Sequence, residues 1–151
     1  MADPVTYQST SPRHQLPLLF AAQAQKEVVI NDALIRLDAL THLVVQTQQD
    51  DPSPTPIEGQ CWIVGSAPTG VWSGHAEAIA AFLAGDWLFL EPHDGMACWH
   101  ANARQFIHYD GGWQTVAKPA IPSGGSVVDI ESRQSIEALL IALTSAGIFS
   151  S

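Results

Sequence analysis

The chain has 151 residues, 46% of them hydrophobic and 14% charged, which is enough to bury a core and too short for a two-domain cofactor enzyme. Six basic residues against fifteen acidic ones give a net charge of −9, which disfavours binding to nucleic acid or to an anionic membrane surface. The first residues lack the basic and apolar regions of a signal peptide, and no apolar run approaches the roughly 20 residues of a membrane span. We therefore expect a globular protein that is made in the cytoplasm.

Residues 1–20 predict an extended arm, because prolines interrupt any continuous helix while several leucines remain available for packing. Residues 21–48 predict a helix of about 25 residues, roughly 37 Å long, with no proline or glycine inside it. Its apolar residues recur at alternating spacings of three and four, as in the seam of a coiled coil. The residues of this seam are Ile30, Ala33, Leu37, Leu40 and Val44.

The seam has two interpretations. It either joins identical copies, for which we expect a homotrimer, or forms the apolar side of an ordinary helix that packs on its own domain. Polar groups near such a seam can fix the register and copy number of a bundle. The polar residues on or near the seam are Gln23, Gln25, Lys26 and Asn31.

Residues 49–59 predict a proline-rich linker, because prolines at alternate positions favour a stiff, extended chain. Residues 60–118 then predict a small, mostly antiparallel β domain, since the period of the apolar pattern becomes two. Two hairpins are expected, one turning at Ala84-Gly85-Asp86 and one at Asp110-Gly111-Gly112. The only two cysteines, Cys61 and Cys98, favour buried thiols over a disulfide framework.

Residues 119–128 predict a second linker, and residues 129–147 predict a short C-terminal helix that Asp129 caps and Gly147 ends. The expected fold class is therefore α+β. It consists of a long N-terminal helix, a small and mostly antiparallel β domain rich in tryptophan, and a short C-terminal helix.

The five tryptophans of the predicted β domain are the most conspicuous candidates for a binding site. Exposed indole faces stack on sugar rings, so Trp72, Trp113 and the neighbouring Tyr109 are candidate glycan-binding residues; alternatively, most of these rings fill the core of a thin sheet. Histidines near the sheet lack metal-binding spacing, and acidic residues adjoin turns instead of forming a catalytic pair. With no nucleophile motif or phosphate loop, we expect no enzymatic activity, no cofactor and no metal.

A longer pattern carries a resemblance to a known family. The string Ala22-Gln23-Ala24-Gln25-Lys26, followed by Asn31, Ala33-Leu34 and Leu37-Asp38-Ala39-Leu40, resembles the opening of an uncharacterised domain family found in alphaproteobacterial phages, prophages and gene transfer agents. Further similarities cover nearly the whole chain. They are Glu58-Gly59, residues 69–75, residues 79–82, Gly85-Asp86-Trp87, Tyr109-Asp110-Gly111 with Trp113, and Glu131-Ser132-Arg133.

The resemblance implies a non-enzymatic structural role in a virion or phage-like particle, as the base, adaptor or tip of a head spike or tail fibre. Its partners would be other copies of the chain, other capsid or tail proteins and, in the alternative of a carbohydrate-binding module, cell-surface polysaccharide. The chain has no long receptor-binding region after its last predicted helix, which favours an anchor or adaptor.

Overall fold

The computed structural model of the protein describes residues 10–19, 26–126 and 128–150. The chain divides into two compact units, Met1–Pro92 and His93–Ser151. In their described residues, the first unit contains one α-helix and four strands, and the second contains three strands and one α-helix. The elements of the first unit are α1 (Lys26–Leu40), β1 (Val44–Gln49), β2 (Cys61–Val64), a 3-10 turn (Gly70–Trp72), β3 (Ile79–Leu83) and β4 (Asp86–Leu90).

The expectation of a long N-terminal helix is wrong, because α1 has 15 residues and ends at Leu40. The chain leaves the helix through His42, which adopts a left-handed φ of 47°, and the β-branched valines that follow enter β1. Val44 therefore belongs to a strand and not to the predicted seam. The part of the predicted helix at residues 21–25 lies outside the described residues, as do residues 1–9 and 20 of the predicted arm.

The expectation of a mostly antiparallel sheet is also wrong, because the sheet is mixed. Its strands in the first unit follow the order β4-β3-β2-β1, and β1 pairs with β2 in parallel while the other two pairs are antiparallel. Two parallel neighbours need a crossover between them. The proline-rich segment after Gln49 provides this crossover, so it joins two neighbouring strands of one sheet.

Aromatic residues fill one face of the sheet of the first unit. Trp62 on β2, Ala80 on β3 and Phe89 on β4 lie in register on that face, and Trp72 packs against them from the 3-10 turn. β2 is buried along its whole length, which explains its unbroken apolar sequence. The opposite face carries Cys61 and Ile63, both fully buried.

The second unit contains β5 (Ala97–His100), β6 (Gln105–Tyr109), β7 (Trp113–Gln114) and α2 (Ile130–Ser145). The three strands pair antiparallel in sequence order, as the predicted turn at Asp110-Gly111-Gly112 requires. The predictions at both ends of the last helix are confirmed. The side chain of Asp129 accepts a hydrogen bond from the amide of Ser132, and the left-handed Gly147 (φ 76°) follows the last turn.

Gly147 completes a Schellman motif at the end of α2. Its amide donates to the carbonyl of Thr144 at 3.0 Å, and the amide of Ile148 donates to the carbonyl of Leu143 at 2.9 Å. The backbone at Gly147 also lies against the ring of Trp99, so closely that a Cβ at this position would be 2.3 Å from Cζ3. This end of the helix is therefore fixed on the sheet of the second unit.

Candidate assembly surface

The helix α1 is amphipathic in the opposite sense to an ordinary surface helix. Ile30 is 45% exposed and Leu37 is 56% exposed, and the neighbouring Val29 and Ala33 on the same side are exposed as well. We call these four residues the α1 apolar face. The fully buried residues of the helix include the polar Asn31 and Asp38. In the single chain, α1 thus buries two polar side chains and exposes the four apolar ones of this face.

The inward polar groups have partners in the N-terminal arm. The side chain of Asn31 accepts a hydrogen bond from the amide of Leu19 and donates one to its carbonyl, both at 2.9 Å. The side-chain amide of Asn31 thus pairs with the backbone of the arm in the way that a neighbouring strand would. Asn31, which the sequence placed on or near the seam, therefore fastens the arm to α1.

Asp38 fastens the arm at a second point. Its carboxylate accepts hydrogen bonds from Ser11 Oγ at 2.7 Å, from the Arg13 amide at 2.9 Å and from the His14 amide at 2.7 Å. The Nδ1 atom of His14 lies 3.1 Å from the same carboxylate. Burial acts to raise the pKa of Asp38, but these hydrogen bonds outweigh it and lower the pKa below its ordinary value of 3.8.

Arg13 closes the C-terminal end of α1. Its guanidinium donates to the carbonyls of Asp38, Ala39 and His42, at 3.1, 2.5 and 2.9 Å. The last carbonyls of a helix have no backbone N–H donors within the helix, and a cation there also interacts favourably with the helix dipole. The arm thus ends the helix that the sequence pattern alone would continue.

The buried side of this junction also contains Cys61 on β2. Burial raises the pKa of its thiol to about 11, with a smaller lowering by Arg13 and a smaller raising by Asp38. Both cysteines are buried thiols, so the expectation is confirmed. Cys61 is therefore a core residue next to the arm and not a reactive group.

The five predicted interface residues do not share one helix face. Ile30, Ala33 and Leu37 do so and are exposed, whereas Leu40 is half-buried at the last position of α1 and Val44 is half-buried in β1. Val29, which the seam omitted, is 72% exposed and widens the apolar face, since it lies one turn before Ala33 and beside Ile30. The helical spacing of the first three residues was informative, while the two later ones fall beyond the helix or at its end.

Trp72 does not lie on the surface, contrary to its selection as a candidate glycan-binding residue. It is fully buried and packs edge to face on Trp87, with ring centroids 5.1 Å apart. Trp62 completes the group at 5.4 Å from Trp87. A ring enclosed in this way offers no face to a sugar, so Trp72 is a core residue of the first unit.

The other two glycan candidates lie together in the second unit. Tyr109 and Trp113 face each other across the β6–β7 pair, with ring centroids 5.4 Å apart and an interplanar angle of 74°. Both are half-buried, and the exposed Asp110 and Gly111 form the turn between them. This pair presents part of its aromatic surface to solvent.

Among the described residues, no group of three or more histidine, cysteine, aspartate or glutamate side chains is placed to hold a metal ion. In the same part of the chain, no helix is both long and apolar enough to cross a membrane. The polar side of α1, which sequence reasoning missed, carried one signal: Asn31 and Asp38 are seven positions apart and therefore lie on the same side of the helix.

Comparison with known proteins identifies a family. Residues 30–114 match a family model with the description "Protein of unknown function (DUF2793)", and the match covers more than half of the chain. It includes most of α1 and all seven strands and leaves out the arm and α2. No curated protein matches the chain.

Proposed function

Because the chain belongs to the DUF2793 family, whose description assigns no activity, we propose a function from its own residues: it is a non-enzymatic structural subunit of a phage or phage-like particle that assembles as a homotrimer through α1. The observation that carries the proposal is the α1 apolar face. Its polar side is already occupied by the arm, so the exposed side is the one available for a partner.

The spacing of the exposed residues indicates that the partner is another copy of α1. Ile30, Ala33 and Leu37 recur at three and four positions, which is the pattern by which helices pack side by side around a common axis. The three residues themselves are uncharged, so they can meet their own copies across a symmetry axis without like-charge repulsion. The net charge of −9 makes separate subunits repel one another, and burial of this face would provide the free energy that overcomes the repulsion.

The assignment to a particle is supported by the sequence string from Ala22 to Leu40, which resembles proteins of phages and gene transfer agents. Projections on virions are commonly cyclic oligomers of one subunit, and a trimer through α1 would meet that requirement. In this proposal the subunit is the base or adaptor of a head spike or tail fibre, with capsid or tail proteins as its other partners.

The assembly is tested by placing a charge in the α1 apolar face. We expect Leu37→Asp to raise the dissociation constant at least about 100-fold, because each copy loses the burial of a leucine and brings in a carboxylate without a partner. The matched control is Val71→Asp, which changes an equally apolar and 63% exposed residue of the same unit. Light scattering coupled to gel filtration, over a range of concentrations, measures the mass of each variant.

A wild-type protein that is monomeric at every concentration would refute the assembly, and so would equal behaviour of the two variants. The location is tested separately. Phage-like particles purified from the source strain should contain the chain at a fixed ratio to the capsid protein, and its absence from intact particles would refute the structural role.

Glycan binding remains a second candidate because Tyr109 and Trp113 form a half-exposed aromatic pair beside the Asp110–Gly111 turn. Such a pair can stack on a sugar ring while the turn supplies hydrogen-bond groups. Trp113→Ala should abolish binding to a glycan array and leave the mass of the assembly unchanged. An array on which wild type and variant give the same signal would exclude this site.

A further inference from the structure

The C-terminal helix α2 is almost entirely exposed, although it is rich in apolar residues. All 16 of its residues are described, and among them only Leu140 is buried. Leu139 is 62% exposed, and Ile136 and Leu143 lie on the same side of the helix, also exposed. We call Ile136, Leu139 and Leu143 the α2 stripe. Their spacing of three and four is again that of helices packed side by side.

The second unit holds α2 by its C-terminal end. Leu140 and Phe149 are buried, the amide of Phe106 donates to the carbonyl of Gly147 at 2.7 Å, and Gly147 lies against Trp99. The first half of the helix depends on its Asp129 cap and on Arg133, which donates to the carbonyls of Pro122 and Gly124. A helix of this length with so little packing is marginally stable in water. A partner that covers the exposed apolar residues would therefore stabilise the helix.

The charge distribution along α2 indicates which kind of partner fits the stripe. Its three charged residues, Glu131, Arg133 and Glu137, all precede Ala138, and no charged residue occurs from Ala138 to the end of the sequence. Along this second half of the helix, a strongly acidic or basic partner would gain no ion pairs. Two copies of a chain with a net charge of −9, by contrast, can meet here without bringing carboxylates together.

We propose that the α2 stripe is a second self-association surface, on which α2 of another copy docks. The pairing buries the same leucines and isoleucine on each copy, so every contact is repeated by symmetry. This surface is separate from the α1 apolar face, because it lies in the other unit and outside the residues matched by the family model. The chain thus adds to its family domain an element for assembly.

Sedimentation equilibrium of the full chain tests the proposal in a Leu37→Asp background, where association through α1 is weakened. Self-association should persist in that background, and adding Leu139→Asp should raise its dissociation constant at least about 100-fold. The matched control is Gln134→Asp, which places the same charge on the opposite, exposed side of α2 and should change the constant by less than about threefold. Circular dichroism verifies that each variant keeps its sheet.

The outcomes separate this proposal from the proposed function. If Leu37→Asp has no effect but Leu139→Asp disrupts association, assembly through α1 fails and pairing through α2 stands. Equal constants for Leu139→Asp and Gln134→Asp overturn pairing through α2, whatever happens at α1.

Hydrogen exchange provides an independent measurement. Amides of residues 130–139 should become at least tenfold better protected from exchange as the concentration of the chain rises, because packing against another copy reduces local opening of the helix. Protection that does not depend on concentration overturns the proposal. So does protection that appears only when a different particle protein is added, since the occupant would then not be a second copy.

Discussion

The attachment of the arm to Asp38 makes a quantitative prediction for stability. Replacing Asp38 by Asn keeps the size of the side chain but turns one of its two acceptor oxygens into a donor. In the wild type, the carboxylate accepts three hydrogen bonds at 2.7 to 2.9 Å, from Ser11, Arg13 and His14. Hydrogen bonds to a charged acceptor contribute about 1.5–3 kcal/mol each, and a buried donor left without an acceptor costs about 1–3 kcal/mol.

We therefore expect Asp38→Asn to lower the free energy of unfolding by about 2–4 kcal/mol, a large share of the roughly 5–15 kcal/mol typical of a folded protein. Urea unfolding at neutral pH, followed by tryptophan fluorescence at one fixed chain concentration, measures the change. The control is Glu91→Gln, which removes an exposed carboxylate of the same unit and for which the change should stay below about 0.5 kcal/mol.

The pH dependence tests the same contact. The pKa of Asp38 is lowered in the folded state, so its contribution is fully present above its ordinary value of 3.8 and disappears as the pH falls through the lower, folded value. The difference in stability between wild type and Asp38→Asn should consequently shrink below pH 3.8. A difference that is absent at pH 7, or that does not vary between neutral and acidic pH, would refute the role assigned to the carboxylate.

Two further predictions concern Gly147 and the cysteines. Gly147→Ala should lower the free energy of unfolding by about 1–3 kcal/mol more than Gly85→Ala, as measured by thermal denaturation. Both glycines have a left-handed φ, 76° and 78°, but only at Gly147 would the new Cβ contact a ring. Equal losses of stability would show that Trp99 does not constrain this position. Burial raises the pKa of Cys61 to about 11, so a thiol reagent at pH 8 should modify it at least about 100-fold more slowly than in the unfolded protein. Mass spectrometry locates the modified residue. Rapid modification of Cys61 in the native chain would contradict its position in the core.

The elements with local signals could be predicted from the sequence. The turns at Gly85 and Gly111 defined both hairpins, and Asp129 and Gly147 defined the ends of the C-terminal helix, since each residue type serves its turn or cap by its own chemistry. No long-range contact is needed for these signals to act. They accordingly agree with the structure.

The length of α1 could not be predicted in this way. Residues 41–51 include no glycine or proline, and Val44 happens to continue the spacing of the helix stripe. What ends the helix is Arg13, which reaches its last carbonyls from 25 residues earlier in the chain. The parallel pairing of β1 with β2 was not predicted for the same reason. Residues 44–48 had been assigned to the helix, so they were not considered as a strand.

The candidate surfaces also combine features that local sequence predicts with features that depend on long-range contacts. Helical spacing correctly grouped Ile30, Ala33 and Leu37, but it gave no indication that Asn31 and Asp38 face the arm instead of a partner. Proximity to a glycine turn selected both Trp72 and Trp113, and only packing across the sheet distinguishes the buried ring from the half-exposed one. Exposure of an aromatic residue depends on strands that are distant in sequence.

The arm has a consequence for where the folding unit begins. A fragment cut at the limits of family similarity, residues 30–114, would leave Asn31 and Asp38 beside the sheet without Leu19, Ser11 and Arg13 to satisfy them. The final turn of α1 would lose its cation at the same cut. The smallest piece of this chain able to fold by itself therefore starts well upstream of the residues by which its relatives are recognised.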